Sequence, residues 1–146
     1  MEPAAFLNLD FELSAKRDLA PLAKYLDDHA SLLHCSKYGD DYRLTAEPLC
    51  GGHSNHSARA CTEELLDTLA AMPSELRELF DQSHVRLFDY GFDGGLDAKA
   101  LSVDVPSELL VRMAHLEIGM RVTVYPHRTE AAARQALSES QLPKKR

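Results

Sequence analysis

The segment with the densest potential for chemistry is "LCGGHSNHSARAC", residues 49–61. It holds two thiols and two imidazoles, those of Cys50, His53, His56 and Cys61. These are the ligand types that tetrahedral zinc prefers. All four fall within twelve residues, however, whereas structural zinc sites usually combine two ligand pairs that a longer stretch separates. The spacing therefore favours a polar loop without a metal, and a zinc site is the alternative.

The same segment offers the parts of a cysteine nucleophile. Cys61 lies near the start of a predicted helix, where the pKa of a thiol can fall, and His53 or His56 would be its base. Neither an acid that would orient the base nor oxyanion glycines can be identified beside them. Cys61 is therefore interpreted as a buried structural thiol.

Other catalytic signatures are missing from the sequence. It contains no Gly-x-Ser-x-Gly elbow, and its two glycine pairs match neither a phosphate loop nor a dinucleotide fingerprint. We therefore predict no catalytic residue, no cofactor and no metal. The protein is expected to be non-enzymatic, with a small metal-binding or Cys/His-dependent enzyme using residues 50–61 as the alternative.

Length and composition favour one cytoplasmic domain. The 146 residues, 45% of them hydrophobic, are enough for one compact core. No apolar run approaches the roughly 20 residues of a membrane helix, and the first residues lack the pattern of a secretory signal. Three cysteines are an odd and sparse set, which favours a reducing compartment. The expected location is the cytoplasm, without a membrane partner.

Charge is unevenly distributed along the chain. Residues 1–126 carry eleven Lys and Arg against twenty-one acids, a net of −10, whereas residues 127–146 carry five against two, a net of +3. An acidic body repels the phosphates of nucleic acids and favours a basic protein partner. Solubility is the simpler explanation of this charge and the favoured one, and binding of a basic partner is the alternative.

Hydrophobic periodicity predicts the elements of the first half. Alternation over residues 6–13 indicates a half-buried strand. A helix follows, with Asp18 as its cap and Pro21 in its first turn. Residues 31–37 and 42–48 are predicted to pair as a hairpin around a glycine turn.

The second half uses the same kinds of element. Helices are predicted at residues 62–72 and 74–83, and strands at 85–92, 99–105 and 120–126, the first two of these strands as a hairpin. Ser107 is expected to cap a further helix, and Gly119 to end it.

Arg86 is the basic residue of most interest, because strand alternation places it on the same face as Phe88. We expect it to form an ion pair with Asp10 or Glu12 on a neighbouring strand rather than to bind an anion.

These elements predict a single α+β domain over residues 1–126. Its sheet is expected to be mixed or antiparallel, with about six strands and with helices packed on one face. Residues 127–146 are predicted to be a polar tail that is weakly helical or disordered.

The motifs "RLFDYGFDGG" and "LSVDVPSELLVRMAHLEIGMRVTVYP" resemble a family of small bacterial α+β proteins of unknown function. The matching residues are Arg86, Asp89 and Gly91, then Ser107, Glu108, Leu109 and Leu110, then Val122, Val124, Tyr125 and Pro126. The resemblance brings no catalytic residues, and residues 50–61 lie outside it. Some small acidic domains of this general kind occur beside bacterial toxin systems as immunity proteins, so the resemblance implies a binding role.

The expected function is therefore that of a cytoplasmic, protein-binding domain, an immunity or accessory factor with a basic protein partner. Self-association through an exposed strand edge is compatible with this function and with the Cys/His alternative.

Overall fold

The computed structural model describes residues 2–50 and 56–127, which form five strands and four helices. The elements are β1 (Ala5–Ala15), α1 (Ala20–His29), β2 (Ser31–Tyr38), β3 (Asp41–Glu47), α2 (Ala58–Ala70), α3 (Ser74–Asp81), β4 (Val85–Asp93), α4 (Ser107–His115) and β5 (Gly119–Tyr125). From position 128 onward, the predicted tail lies outside the described residues.

The strands form one mixed sheet in the order β2-β3-β1-β4-β5. Neighbouring strands are antiparallel except β4 and β5, which are parallel and joined through α4. The first strand of the chain is thus the middle strand of the sheet. The predicted α+β class is confirmed, with five strands rather than about six.

The core lies between one face of the sheet and the helices. On that face Phe11 of β1 sits between Ala46 of β3 and Phe88 of β4, and all three are fully buried. The helices contribute buried leucines and one phenylalanine, among them Leu22, Leu26, Leu65, Leu69 and Phe80. The side chains of the opposite face are mostly polar and only partly buried. This opposite side, which we call the open face, is not covered by the described helices.

Local sequence explains where the first helices begin. Pro21 lies in the first turn of α1, as predicted, but Leu19 rather than Asp18 occupies the cap position. The Asp18 carboxylate accepts a hydrogen bond from the Ala20 amide, at the first residue of the helix, at 2.9 Å. Helix α2 begins four residues earlier than expected, because the Ser57 hydroxyl caps it by accepting from the Ala60 amide at 3.0 Å. None of the described helices combines the length and the apolarity needed to cross a membrane.

The strand predicted at residues 99–105 is wrong. Residues 94–106 contain neither helix nor strand. Strand β4 already has β1 on one edge and β5 on the other, so no edge remains for a hairpin partner. The missing hairpin accounts for the difference between the expected and the observed number of strands.

The predicted ends of the last helix are also wrong. Ser107 is the first residue of α4 and makes no capping hydrogen bond, because Pro106 occupies the cap position. The helix ends at His115, four residues before the predicted end at Gly119, and Glu117 takes a left-handed conformation with φ of 55°. Gly119 instead begins β5.

Candidate functional site

Three of the four Cys/His residues in the 50–61 segment meet in the structure. The Cys50 Sγ lies 3.0 Å from the Cys61 Sγ, and the Cys61 Sγ lies 3.6 Å from the His56 Nδ1. All three potential ligand atoms are within 4.8 Å of one another. We call these residues the Cys/His cluster. His53, the fourth residue of the predicted alternative, lies outside the described residues.

The orientation of the His56 ring is set by the first strand. Its Nε2 lies 2.6 Å from the carbonyl oxygen of Leu7, and the ring stacks on Phe6 with centroids 5.0 Å apart. A carbonyl can only accept, so Nε2 carries the proton and donates it. In the neutral ring this leaves the lone pair of Nδ1 directed toward Cys61.

Cys61 is fully buried, as the sequence predicted. Burial raises the pKa of its thiol, and the neighbouring Cys50 and Glu64 raise that pKa further. The Glu64 carboxylate also accepts a hydrogen bond from the Cys50 amide at 3.4 Å. A thiol with a raised pKa is a poor nucleophile at neutral pH, so this arrangement does not favour cysteine catalysis.

The open face carries carboxylates side by side on three adjacent strands. Asp10 of β1 stands directly opposite Asp89 of β4. On the other side, Glu47 of β3 follows Ala46, the partner of Phe11. Partial burial raises the pKa of Asp10 to about 6, with further increases from Glu47, Asp89 and Glu12 in that order. We call Glu47, Asp10 and Asp89 the carboxylate row.

Strand β5 neutralises one end of the row. The Arg121 guanidinium lies 3.0 Å from Glu12 and 3.5 Å from Asp89, and the Thr123 hydroxyl donates to Asp89 at 2.8 Å. Among the described residues, the one side chain that donates to the Asp10 carboxylate is the Asn8 amide, at 3.1 Å. Within residues 2–50 and 56–127, no Lys, Arg or His forms a salt bridge with Asp10 or Glu47.

Gly91 leaves the room that Asn8 needs. The two residues are partners in the β1–β4 register, and a Cβ on Gly91 would lie 2.5 Å from the Asn8 Oδ1. Any other residue would therefore displace the amide that donates to Asp10. The glycine of the "FDYG" motif thus contributes to the geometry of the carboxylate row.

The predicted partner of Arg86 is wrong. Arg86 lies on the helix-covered face, as the alternation indicated, whereas Asp10 and Glu12 lie on the open face. Its guanidinium instead forms a 2.8 Å ion pair with Glu117 and donates to the carbonyl oxygens of Phe80 and Asp81 at 3.2 and 2.7 Å. Its role is structural: it ties the end of α3 to the segment that leads into β5.

A third surface lies along β5, on the helix-covered side of the sheet. Met120, Val122 and Val124 are more than half exposed there. With Leu101 and Val103 they line an apolar groove of about 400 Å³. Strand β5 is also the last strand of the sheet. Self-association through such an edge stays a prediction.

Comparisons with protein-family models, curated proteins and solved structures found no match for this chain. The resemblance of its second half to small bacterial proteins therefore stays a prediction from the motifs themselves.

Proposed function

We propose that this domain binds another protein through its open face and that the partner contributes Lys or Arg side chains to the carboxylate row. The observation that carries the proposal is the position of Asp10 between Glu47 and Asp89. Like charges opposite one another on adjacent strands destabilise a sheet. A cationic side chain from a partner would offset that repulsion.

The distribution of neutralising groups indicates where the partner's cations would bind. Arg121 already serves Glu12 and Asp89. Asp10 and Glu47 are the remaining acids of the row, and both lie toward the β3 side of the open face.

The overall charge supports the same partner chemistry. Residues 1–126 have a net charge of −10, and such a surface attracts basic proteins and speeds their association. Salt screens exposed charges over about 8–10 Å at ordinary ionic strength, so the complex should weaken as salt rises.

The narrower form of the proposal is that the domain is an immunity or accessory protein that acts in the cytoplasm on a basic toxin or similar partner. Its support is the motif resemblance together with the acidic body. The identity of the captured partner tests this narrower form separately from the binding itself.

The test is capture of the tagged protein's partner from lysate of its own source, at low and high salt, followed by calorimetry with the purified partner. A test variant, Asp10→Asn with Glu47→Gln, is compared with a control, Asp27→Asn with Glu63→Gln. The control removes two exposed acids from α1 and α2, and therefore changes the net charge equally.

We expect a basic partner that is lost at high salt, at least about tenfold weaker binding by the test variant, and nearly unchanged binding by the control. Equal binding by wild type and the test variant would reject the open face as the site. An empty capture, or a partner without a basic surface, would reject the proposed function.

A further inference from the structure

We propose that Cys50, His56 and Cys61 form a binding site for a zinc-class divalent cation, which fastens the end of the β2–β3 hairpin to the start of α2. Two thiolates and one imidazole form a ligand set that suits borderline-soft cations such as Zn²⁺. Mg²⁺ and Ca²⁺ prefer oxygen ligands and suit this set poorly. This inference does not depend on the proposed function, because the cluster shares no residue with the carboxylate row.

One of the two measured distances between ligand atoms matches tetrahedral spacing, and the other needs a small adjustment. With Zn–S near 2.3 Å and Zn–N near 2.0 Å, a thiolate and an imidazole nitrogen lie about 3.6 Å apart, and two thiolates about 3.8 Å apart. The Cys61–His56 distance of 3.6 Å fits the first value. The sulfurs, at 3.0 Å, would need to separate by about 0.8 Å. Cys50 is only half-buried and follows the end of β3, so a small rotation of its side chain can supply that change.

His56 is already oriented as a ligand. Histidines that bind metals almost always donate their second ring N–H to a carbonyl or carboxylate, which fixes the tautomer and the ring orientation. Here the Leu7 carbonyl accepts that proton, and stacking on Phe6 further restrains the ring. A disulfide between Cys50 and Cys61 would not require His56 to be oriented toward the sulfurs.

Charge balance favours a divalent cation once both thiols are ionised. Two thiolates and one neutral imidazole carry a charge of −2, which a divalent cation balances. The Glu64 carboxylate beside Cys50 adds further negative charge. Three protein ligands leave a fourth position for water or another donor.

The experiment is titration of the purified full-length protein, reduced with a phosphine and free of metal, with Co²⁺ and then Zn²⁺. We expect one Co²⁺ per chain, a thiolate-to-cobalt charge-transfer band, and displacement of Co²⁺ by Zn²⁺ binding tighter than about 1 μM. Elemental analysis after dialysis should find one zinc per chain.

Variants assign the site. Cys50→Ser and His56→Ala should each weaken zinc binding at least about tenfold, and Cys50→Ser should also diminish the charge-transfer band. Cys35→Ser is the matched control, because Cys35 is an exposed thiol on β2 away from the cluster, and it should bind like wild type. Both test residues are only partly buried, so circular dichroism should show folded variants.

Three results would overturn the proposal. The first is that the reduced wild-type protein binds no zinc at micromolar concentration. This result would count against the site even if Cys50 and Cys61 form a disulfide in protein purified without reductant. The second is unchanged affinity in Cys50→Ser and His56→Ala. The third is loss of binding in Cys35→Ser alone.

Discussion

Asp10 and Asp89 face each other directly across β1 and β4 on the open face of the sheet. Arg121 and Thr123 contact the Asp89 carboxylate, whereas Asp10 accepts from the Asn8 amide and has no cationic partner among residues 2–50 and 56–127. The pKa of Asp10 is raised to about 6 as a result of partial burial and of the neighbouring acids. The crowding of these carboxylates has consequences for stability as well as for binding.

Asp10→Asn should stabilise the protein at pH 7.5 and change little at pH 4. The folded-state pKa of about 6 lies above the unfolded value of 3.8, so the folded state holds the proton more tightly. The stability that the protonated Asp10 contributes to the wild type therefore decreases as pH rises through about 4 to 6. The Asn side chain does not ionise, so the variant does not lose this contribution. After discounting for partial exposure, we expect a gain of about 1 kcal/mol at pH 7.5, measured by urea unfolding.

Glu12→Gln is the matched control for this prediction, because Glu12 has a cation partner in Arg121. It should give no comparable gain. Equal stability of wild type and Asp10→Asn at pH 7.5 would contradict the repulsion that the carboxylate row implies.

Glu117→Gly and Glu117→Ala should differ in stability although both remove the ion pair with Arg86. Glu117 holds φ of 55°, which costs a residue with a Cβ about 1 kcal/mol and costs glycine little. The lost pair is exposed on the glutamate side and is worth less than about 1 kcal/mol. We expect Glu117→Gly near wild type and Glu117→Ala less stable by about 0.5–1 kcal/mol. Similar losses in both variants would show that the backbone conformation is not strained.

Arg86→Ala should destabilise the domain by about 2–3 kcal/mol, since it removes hydrogen bonds to two carbonyls at the end of α3. Arg86→Lys should recover only part of this loss, because an ammonium cannot reproduce the forked geometry of the guanidinium. Arg77→Ala, which removes an exposed pair with Asp81, should cost less than about 0.5 kcal/mol. Thermal or urea unfolding of the three variants measures the order, and equal losses at Arg86 and Arg77 would contradict it.

Zinc should raise the free energy of unfolding of the reduced protein. A cation that binds only the folded state contributes about 2.7 kcal/mol when its free concentration is a hundred times its Kd. Addition of a chelator should reverse the increase, and His56→Ala should show a smaller one. A melting temperature that does not respond to zinc in wild type would argue against a site in the Cys/His cluster.

The sequence predicted most of the fold because the strands of this sheet are buried on one side only, so alternation is strong in β1, β3 and β4. It failed at residues 99–105, where Leu101, Val103 and Val105 also alternate. These side chains line the apolar groove along β5, although their backbone pairs with no strand. Alternation of apolar and polar residues indicates which side chains face the same side of an extended segment. It does not indicate whether the backbone of that segment pairs with another strand.

The candidate sites depend on distances between side chains in the folded structure, which the separation of residues in sequence does not determine. Cys50 and Cys61 meet because β3 ends beside the start of α2, a tertiary relationship. The carboxylate row exists only in the observed strand order and register, since Asp10 and Asp89 are far apart in sequence. Glu117 was missed for a different reason: a left-handed residue is expected to be glycine or asparagine, and Glu117 is neither.

The strand order also divides the sheet into two blocks, each formed by a continuous part of the chain. Strands β2, β3 and β1 all come from residues 2–50, and β4 and β5 from residues 56–127, so the two blocks of sheet meet only where β1 pairs with β4. A chain cut between positions 51 and 55 would yield two fragments, each with one newly exposed strand edge, that of β1 or of β4, and an apolar surface that fits the other. Such fragments are suited to complementation, as in a split reporter, and a cation held by Cys50 from one and by His56 and Cys61 from the other would bridge two separate polypeptides.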